Sequence, residues 1–313
     1  MNIIIKTPNF IGDTIMSLSA YELLKMEFPN ANFTIVTPAS CVDVFRDKGI
    51  KRVIIDRSRA SDRNRLKLLK EIREDRYDLG VLFHNTFIDA LLFKLSNIDK
   101  IIGYNKEGRK ILLDFYIKLD RNRHYINHYA FLVNSYLNHK YKSLPPLKLN
   151  YQKSKLLKKD KNPLVGFVLG GENKGSRAYP QKLGLELFRV LKDENIDIIL
   201  LGDRDDNLNN AIYSSSVKSQ NLSGVTTVGE FIDVIASLDL LVTIDTSAMH
   251  IASATNTKFI TLVGKGTSIF ESVKPKVDFG VYLYKDNLDI DDRDLISNIE
   301  PQKIKDTILE VLR

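Results

Sequence analysis

Short apolar runs alternate along this chain with longer stretches whose apolar positions recur at helical spacing. In the first half the pattern predicts strands at residues 3–6, 33–37, 52–55 and 79–83, separated by helices over 14–28, 39–47 and 65–73. Leu18, Tyr21, Leu23 and Leu24 make one such helix face. A second series starts at Pro163. Residues 164–169, 196–201, 240–244 and 258–263 are continuous apolar runs, as expected of strands covered on both faces, with helical patterns over 183–192, 229–237 and 248–254. Strands alternating with helices predict right-handed crossovers and parallel sheets. Tyr125, Tyr129, Phe131 and Tyr136 lie in a further helical stretch and are expected to pack in a core.

A chain of 313 residues is too long for one ordinary core and suits two α/β domains. Between the two series, Pro145 and Pro146 block a continuous helix, and the basic stretch 153–161 keeps the segment in water. The boundary is therefore placed near 148–162, giving domains 1–155 and 156–313, with the last helix packing back on the first domain. Two such domains, with parallel sheets facing a central cleft, would present the carboxyl ends of both strand sets to a ligand.

The composition, 43% hydrophobic and 27% charged, is that of an ordinary globular protein. One cysteine, Cys41, excludes an intrachain disulfide and a multi-cysteine metal site. The start lacks the basic segment and long apolar stretch of a secretory signal, and no apolar run reaches about 18 residues, so a cytoplasmic location is expected. Charge is uneven: Lys and Arg number 25 against 16 Asp and Glu through residue 150, and 21 against 23 beyond it. A basic first half fits either an anionic partner or a solvated basic face. No nucleic-acid recognition module accompanies it.

Four motifs carry candidate chemistry, each directly after a predicted strand. In Pro8-Asn9-Phe10-Ile11-Gly12-Asp13-Thr14, Gly12 permits a tight turn, and Asp13 is either a helix cap or a general base for a hydroxyl. In the segment from Gly170 to Pro180, Gly171, Glu172 and Asn173 form a glycine-led turn and Arg177 offers a forked donor for phosphate oxygens. The spacing excludes a P-loop and a dinucleotide fingerprint. Gly202 with Asp203, Asp205 and Asp206 reads equally as a ribose-binding acidic turn or a solvated one. Asp245, Thr246 and Ser247 open a helix whose free N–H groups suit a diphosphate, with His250 about one turn on, where ordinary capping and a core histidine are the plainer alternatives. The following Gly264-Lys265-Gly266-Thr267-Ser268 supplies flexible backbone beside that pocket. The basic cluster Arg57, Arg59, Arg63, Arg65, Lys67 and Lys70 would serve anionic groups or simply face water.

In this order the motifs resemble glycosyltransferase family 9, the bacterial lipopolysaccharide heptosyltransferases. Gly12-Asp13-Thr14-Ile15-Met16-Ser17, His84-Asn85-Thr86-Phe87, Gly103-Tyr104 and Asp245-Thr246-Ser247-Ala248-Met249-His250 are nearer to its heptosyltransferase II branch than to heptosyltransferase I. The resemblance implies a GT-B fold and inverting transfer of L-glycero-D-manno-heptose from ADP-heptose, without metal or cofactor. It implies an anionic lipid A–Kdo–heptose acceptor bound by the first domain, through Gly12, Arg57, Arg59, Arg63 and Asn85. Asp13 would be the base and Arg177 the phosphate-side catalytic cation. Gly171, Glu172, Asn173, Gly202, Asp205 or Asp206, Asp245, Thr246, Ser247 and His250 would surround the donor. Such an acceptor leaves room for peripheral contact with the inner face of the inner membrane. Two departures stand out: Arg177-Ala178-Tyr179-Pro180 replaces the usual lysine-led element, and Val263-Gly264-Lys265-Gly266-Thr267 replaces a Tyr-Gly-Pro-Thr/Ser segment. A family 9 enzyme for another sugar or acceptor, and a non-catalytic nucleotide-sugar-binding protein, are the alternatives.

Overall fold

The computed structural model describes residues 1–120, 122–158, 161–265, 269–284 and 295–313. Two compact units divide the chain, Met1–Asn150 and Tyr151–Arg313.

In the first unit the strands are β1 (Asn2–Lys6), β2 (Asn32–Thr37), β3 (Ile50–Ile55), β4 (Leu79–Leu82), β5 (Ile101–Asn105) and β6 (Phe115–Lys118). Among the described residues they form one parallel sheet ordered β3-β2-β1-β4-β5-β6. Its helices are α1 (Ile11–Met16), α2 (Leu18–Glu27), α3 (Asp62–Arg73), α4 (Phe87–Lys94) and α5 (Tyr125–Tyr136). β1 sits at the centre because Ile3, Ile4 and Ile5 are all fully covered, with Ile5 pairing Ile35 on one side and Val81 on the other. The chain leaves β1 toward one edge and returns to β4 on the other side. That reversal opens a crevice at the carboxyl ends of β1 and β4, the position that ligands favour in such sheets.

The second unit repeats the plan with β7 (Leu164–Val168), β8 (Asp197–Leu200), β9 (Ser219–Asn221), β10 (Leu240–Ile244), β11 (Phe259–Leu262) and β12 (Gly280–Leu283), ordered β12-β11-β10-β7-β8-β9. Its helices are α6 (Gln181–Val190), α7 (Asn207–Ser216), α8 (Val228–Ala236), α9 (Ser247–Thr255), α10 (Phe270–Val273) and α11 (Pro301–Leu312). Here the reversal falls between β7 and β10. Phe167, Phe188, Tyr213, Val242 and Ile260 fill the core, and Ile304 and Ile308 of α11 join it. The last helix, α11, packs on the core of its own unit.

Several expectations change in detail. The helix expected over 14–28 is two: at Ser17 the hydroxyl bonds back to the Thr14 carbonyl at 2.7 Å, and α2 starts afresh at Leu18. Residues 39–45 wind as a tight 3-10 turn instead of an α-helix. Of the four aromatic residues on α5 only Tyr129 is buried. Phe131 lies half-exposed beneath Arg123, whose guanidinium carbon is 3.3 Å from the ring centre. Among the described residues no helix is long and apolar enough to cross a membrane.

One buried ion pair braces the end of the central strand. Lys6 Nζ lies 2.9 Å from Asp56 Oδ2, and both side chains are almost wholly covered. Burial pushes Asp56 upward, but the Lys6 charge and the Ser58 N–H outweigh it and hold the carboxyl below its usual value. Lys6→Met would strand that carboxylate, so a loss of about 3–5 kcal/mol in unfolding free energy is expected. A denaturant titration reads it as a lower midpoint at unchanged slope, and an unmoved midpoint would show the pair to be dispensable.

Candidate active site

Asp13 stands in the first turn of α1, directly beyond the carboxyl end of β1. It does not cap the helix: Phe10 occupies the cap position with extended backbone and no side chain satisfies it. The Asp13 carboxylate is half-buried and has no side-chain hydrogen bond among the described residues. Burial pushes its pKa up to about 6, against the opposing pull of His84. A carboxylate without internal partners, with a raised proton affinity, is suited to accept a proton from a substrate. Gly12 is buried beside it in the same turn.

The loop after β4 supplies the neighbouring wall. His84 Nδ1 lies 2.5 Å from Asp89 Oδ2, while Nε2 lies 2.6 Å from Asn9 Nδ2 and 3.2 Å from an Arg59 nitrogen. Thr86 caps α4, its Oγ1 accepting from the Asp89 N–H at 3.2 Å and donating to Asp89 Oδ2 at 2.5 Å. Asp89 is buried, which raises its pKa. The His84 hydrogen bond and the Lys6 charge prevail, and it is held below the ordinary value.

Arg109 fixes this loop, a role that its sequence does not reveal. It is fully buried and donates to the carbonyls of Tyr104 (2.7 Å), His84 (2.8 Å) and Thr86 (3.3 Å), and to Asn85 Oδ1 (2.7 Å). Burial pulls its pKa down to about 10. Asn85, expected at the acceptor, therefore already spends its side-chain oxygen on Arg109.

The basic cluster divides. Arg59 borders a recess of about 140 Å³ with Asn9, Asp56, His84, Thr86 and Arg65. Arg57 and Arg59 share a neighbouring depression with Asn9 and Asn64. Arg63 is exposed on α3 and lines neither recess, whereas Arg65, another member of the basic cluster, lines the first and pairs with Asp62.

In the second unit the predicted donor residues gather at the carboxyl ends of β7, β8 and β10. The turn Glu172–Arg177 is tied to the β8–α7 turn by Lys174 Nζ to Asp203 (2.6 Å) and Asn173 Nδ2 to Asp205 (2.7 Å). A Cβ on Gly171 would come within 2.5 Å of the Asp205 carbonyl oxygen. This glycine therefore makes room for the chain's own backbone. Asp206 is turned inward: it is 2% exposed, and its Oδ2 accepts the Asp203 N–H at 2.9 Å. Burial raises its pKa. Of the two aspartates considered for a ribose, only Asp205 is exposed.

Arg177 donates to the Asp245 carbonyl at 3.3 Å, which sets its guanidinium beside the start of α9. Asp245 is half-buried with its pKa raised by burial, countered by the Arg177 charge. Thr246 holds the cap position with extended backbone and no side-chain cap, so the first N–H groups from Ser247 onward are left for an anion. His250 is buried within α9. Ser176 Oγ reaches the Lys265 carbonyl at 3.0 Å, joining the loop after β11 to this group. Gly266, Thr267 and Ser268 lie outside the described residues.

The chain is 27% identical over 295 residues to lipooligosaccharide heptosyltransferase 2 of Haemophilus influenzae, covering 84% of this chain and 83% of the relative. It is likewise 27% identical to lipopolysaccharide heptosyltransferase 2 of Salmonella typhimurium, covering 86% and 84%. Among solved structures, Escherichia coli ADP-heptose heptosyltransferase II superposes with a TM-score of 0.86 at 23% identity, covering 100% and 98%. Escherichia coli heptosyltransferase WaaC with ADP-2-deoxy-2-fluoro heptose gives 0.78 at 16% identity, with 99% of each chain covered. The α/β, GT-B architecture of two Rossmann-like units is thus shared with these structures. The sequence profile of the family itself spans residues 65–274, and the chain belongs to glycosyltransferase family 9, the heptosyltransferases.

Proposed function

We propose that this chain is an inverting heptosyltransferase that moves heptose from ADP-heptose onto a heptose of a lipopolysaccharide or lipooligosaccharide inner core. The observation that carries the reading is Asp13, a half-buried carboxylate with no internal hydrogen bond at the sheet crevice of the first unit. In this mechanism an acceptor hydroxyl gives its proton to Asp13 as its oxygen attacks the anomeric carbon. The bond to the diphosphate breaks on the opposite face, so the anomeric configuration inverts. Negative charge gathering on the departing ADP is met by Arg177 and the open N–H groups of α9, donors in place before the charge develops. In the same reading Asp245 accepts hydrogen bonds from the sugar and Asp205, the exposed one of the two aspartates, from the ribose. The excess of basic residues in the first unit, Arg59 among them, favours an anionic, lipid-linked acceptor at the cytoplasmic face of the inner membrane.

Purified protein incubated with ADP-heptose and a heptose-terminated core acceptor tests the reading. The expected result is an acceptor heavier by one heptose, with ADP released in equal amount. Transfer only from a different nucleotide sugar would reassign the donor, and binding without turnover would remove the enzymatic reading. The rate should also depend on pH. Asp13 must be ionised to act, so kcat/KM is expected to fall as pH drops through about 6, the raised value of that carboxyl. An acid limb at an ordinary aspartate value would mean that another group is the base.

A further inference from the structure

The polar groups behind Asp13 form one ordered chain rather than a loose cluster. Asn9 Oδ1 faces Lys6 Nζ at 3.4 Å, which orients its amide and turns Nδ2 toward His84. His84 Nε2 thus meets two donors, the Asn9 amide and the Arg59 guanidinium, and must itself be the acceptor. The proton of a neutral imidazole then sits on Nδ1 and is donated to Asp89, which is itself fixed by Thr86. The loop carrying His84 cannot swing, because Arg109 holds the carbonyls on either side of Asn85.

We propose that Asp89 and His84 are a positioning pair for the transfer reaction: Asp89 locks His84 in its Nδ1–H form, and His84 Nε2 fixes Arg59 and Asn9 at the recess they line together after β4. The charged groups around the ring are Asp89 on α4, Arg59 after β3, Asp13 on α1, Lys6 and Asp56 at the ends of β1 and β3, and Arg109 after β5. Arg59 rests on the ring nitrogen rather than on a carboxylate, so its charge is left available to an anionic group of the acceptor. A hydrogen on Nε2 would face two donors, so the geometry selects the form in which Nε2 is bare.

The proposal rests on Asp13 as the base, and the test separates the two. Nitrogen NMR of the histidine rings in the whole protein, near pH 7.5, is expected to show His84 protonated at Nδ1 and bare at Nε2. In Asp89→Asn that tautomer should be lost. The KM for acceptor should rise roughly 10- to 100-fold, the scale for a group that orients a ligand-contacting side chain, with the acid limb of the rate displaced and ADP affinity unchanged. His84→Gln, which keeps an acceptor atom, should recover part of what His84→Ala loses. A wild-type tautomer and pH profile in Asp89→Asn, or an Nε2-protonated ring in the native protein, would overturn the pair while leaving Asp13 as base. An active Asp13→Asn would instead overturn the base.

Discussion

Asp13→Asn is expected to lower kcat by about 10²–10⁴-fold, the range for loss of a positioned general base, while ADP affinity stays within a few-fold of the native value. The asparagine keeps the shape of the side chain and removes only its ability to take the proton. Its neighbours lose little, because the native carboxylate bonds to none of the described residues. Steady-state kinetics with saturating donor read the effect directly. Substantial residual transfer would exclude Asp13 from proton abstraction, whatever its position.

Arg177→Ala carries the second large effect. The guanidinium sits against the Asp245 carbonyl at the start of α9, where the leaving diphosphate is proposed to lie. Removing one preorganised donor from developing charge costs about 10²–10³-fold in turnover, and donor binding should weaken with it. Arg177→Lys should restore a part, since lysine returns the charge but not the fork. Unchanged kinetics in the alanine variant would mean that the phosphate site lies elsewhere. The two variants should therefore differ in kind, with Asp13→Asn sparing ADP binding and Arg177→Ala impairing it.

Much of this was legible in the sequence because buried parallel strands advertise themselves. The central strands β1, β7 and β10 have apolar interiors, Ile-Ile-Ile between Asn2 and Lys6, Leu-Val-Gly-Phe-Val and Leu-Leu-Val-Thr-Ile, and each leads straight into a motif. The sheet edges were not legible. β9 is Ser-Gln-Asn, three half-buried polar residues with no apolar signal, and β6 is only the four residues Phe-Tyr-Ile-Lys, alternating half-buried and exposed, too short a run to stand out. At the site, Asp13 and Arg177 could be named from their place after a strand. Arg109 could not: among Lys106, Glu107 and Lys110 it reads as one more solvated charge, and only the fold takes it inside. Asp89 looks like an ordinary acidic residue in a first helical turn, and its bond to His84 depends on how the loop after β4 closes. Asp205 and Asp206 differ by one position, and spacing alone does not say which points inward. The turn geometry decides it, by giving Asp206 the Asp203 N–H.

The central claim is a division of labour, proton removal by the first unit and nucleotide binding by the second. Titration calorimetry with ADP on the native protein, Asp13→Asn and Arg177→Ala tests it most directly. The account predicts native-like affinity for the Asp13 variant and at least about tenfold weaker binding for the Arg177 variant, the scale of one lost charge-assisted hydrogen bond. Weakened binding in the first with native binding in the second would contradict it.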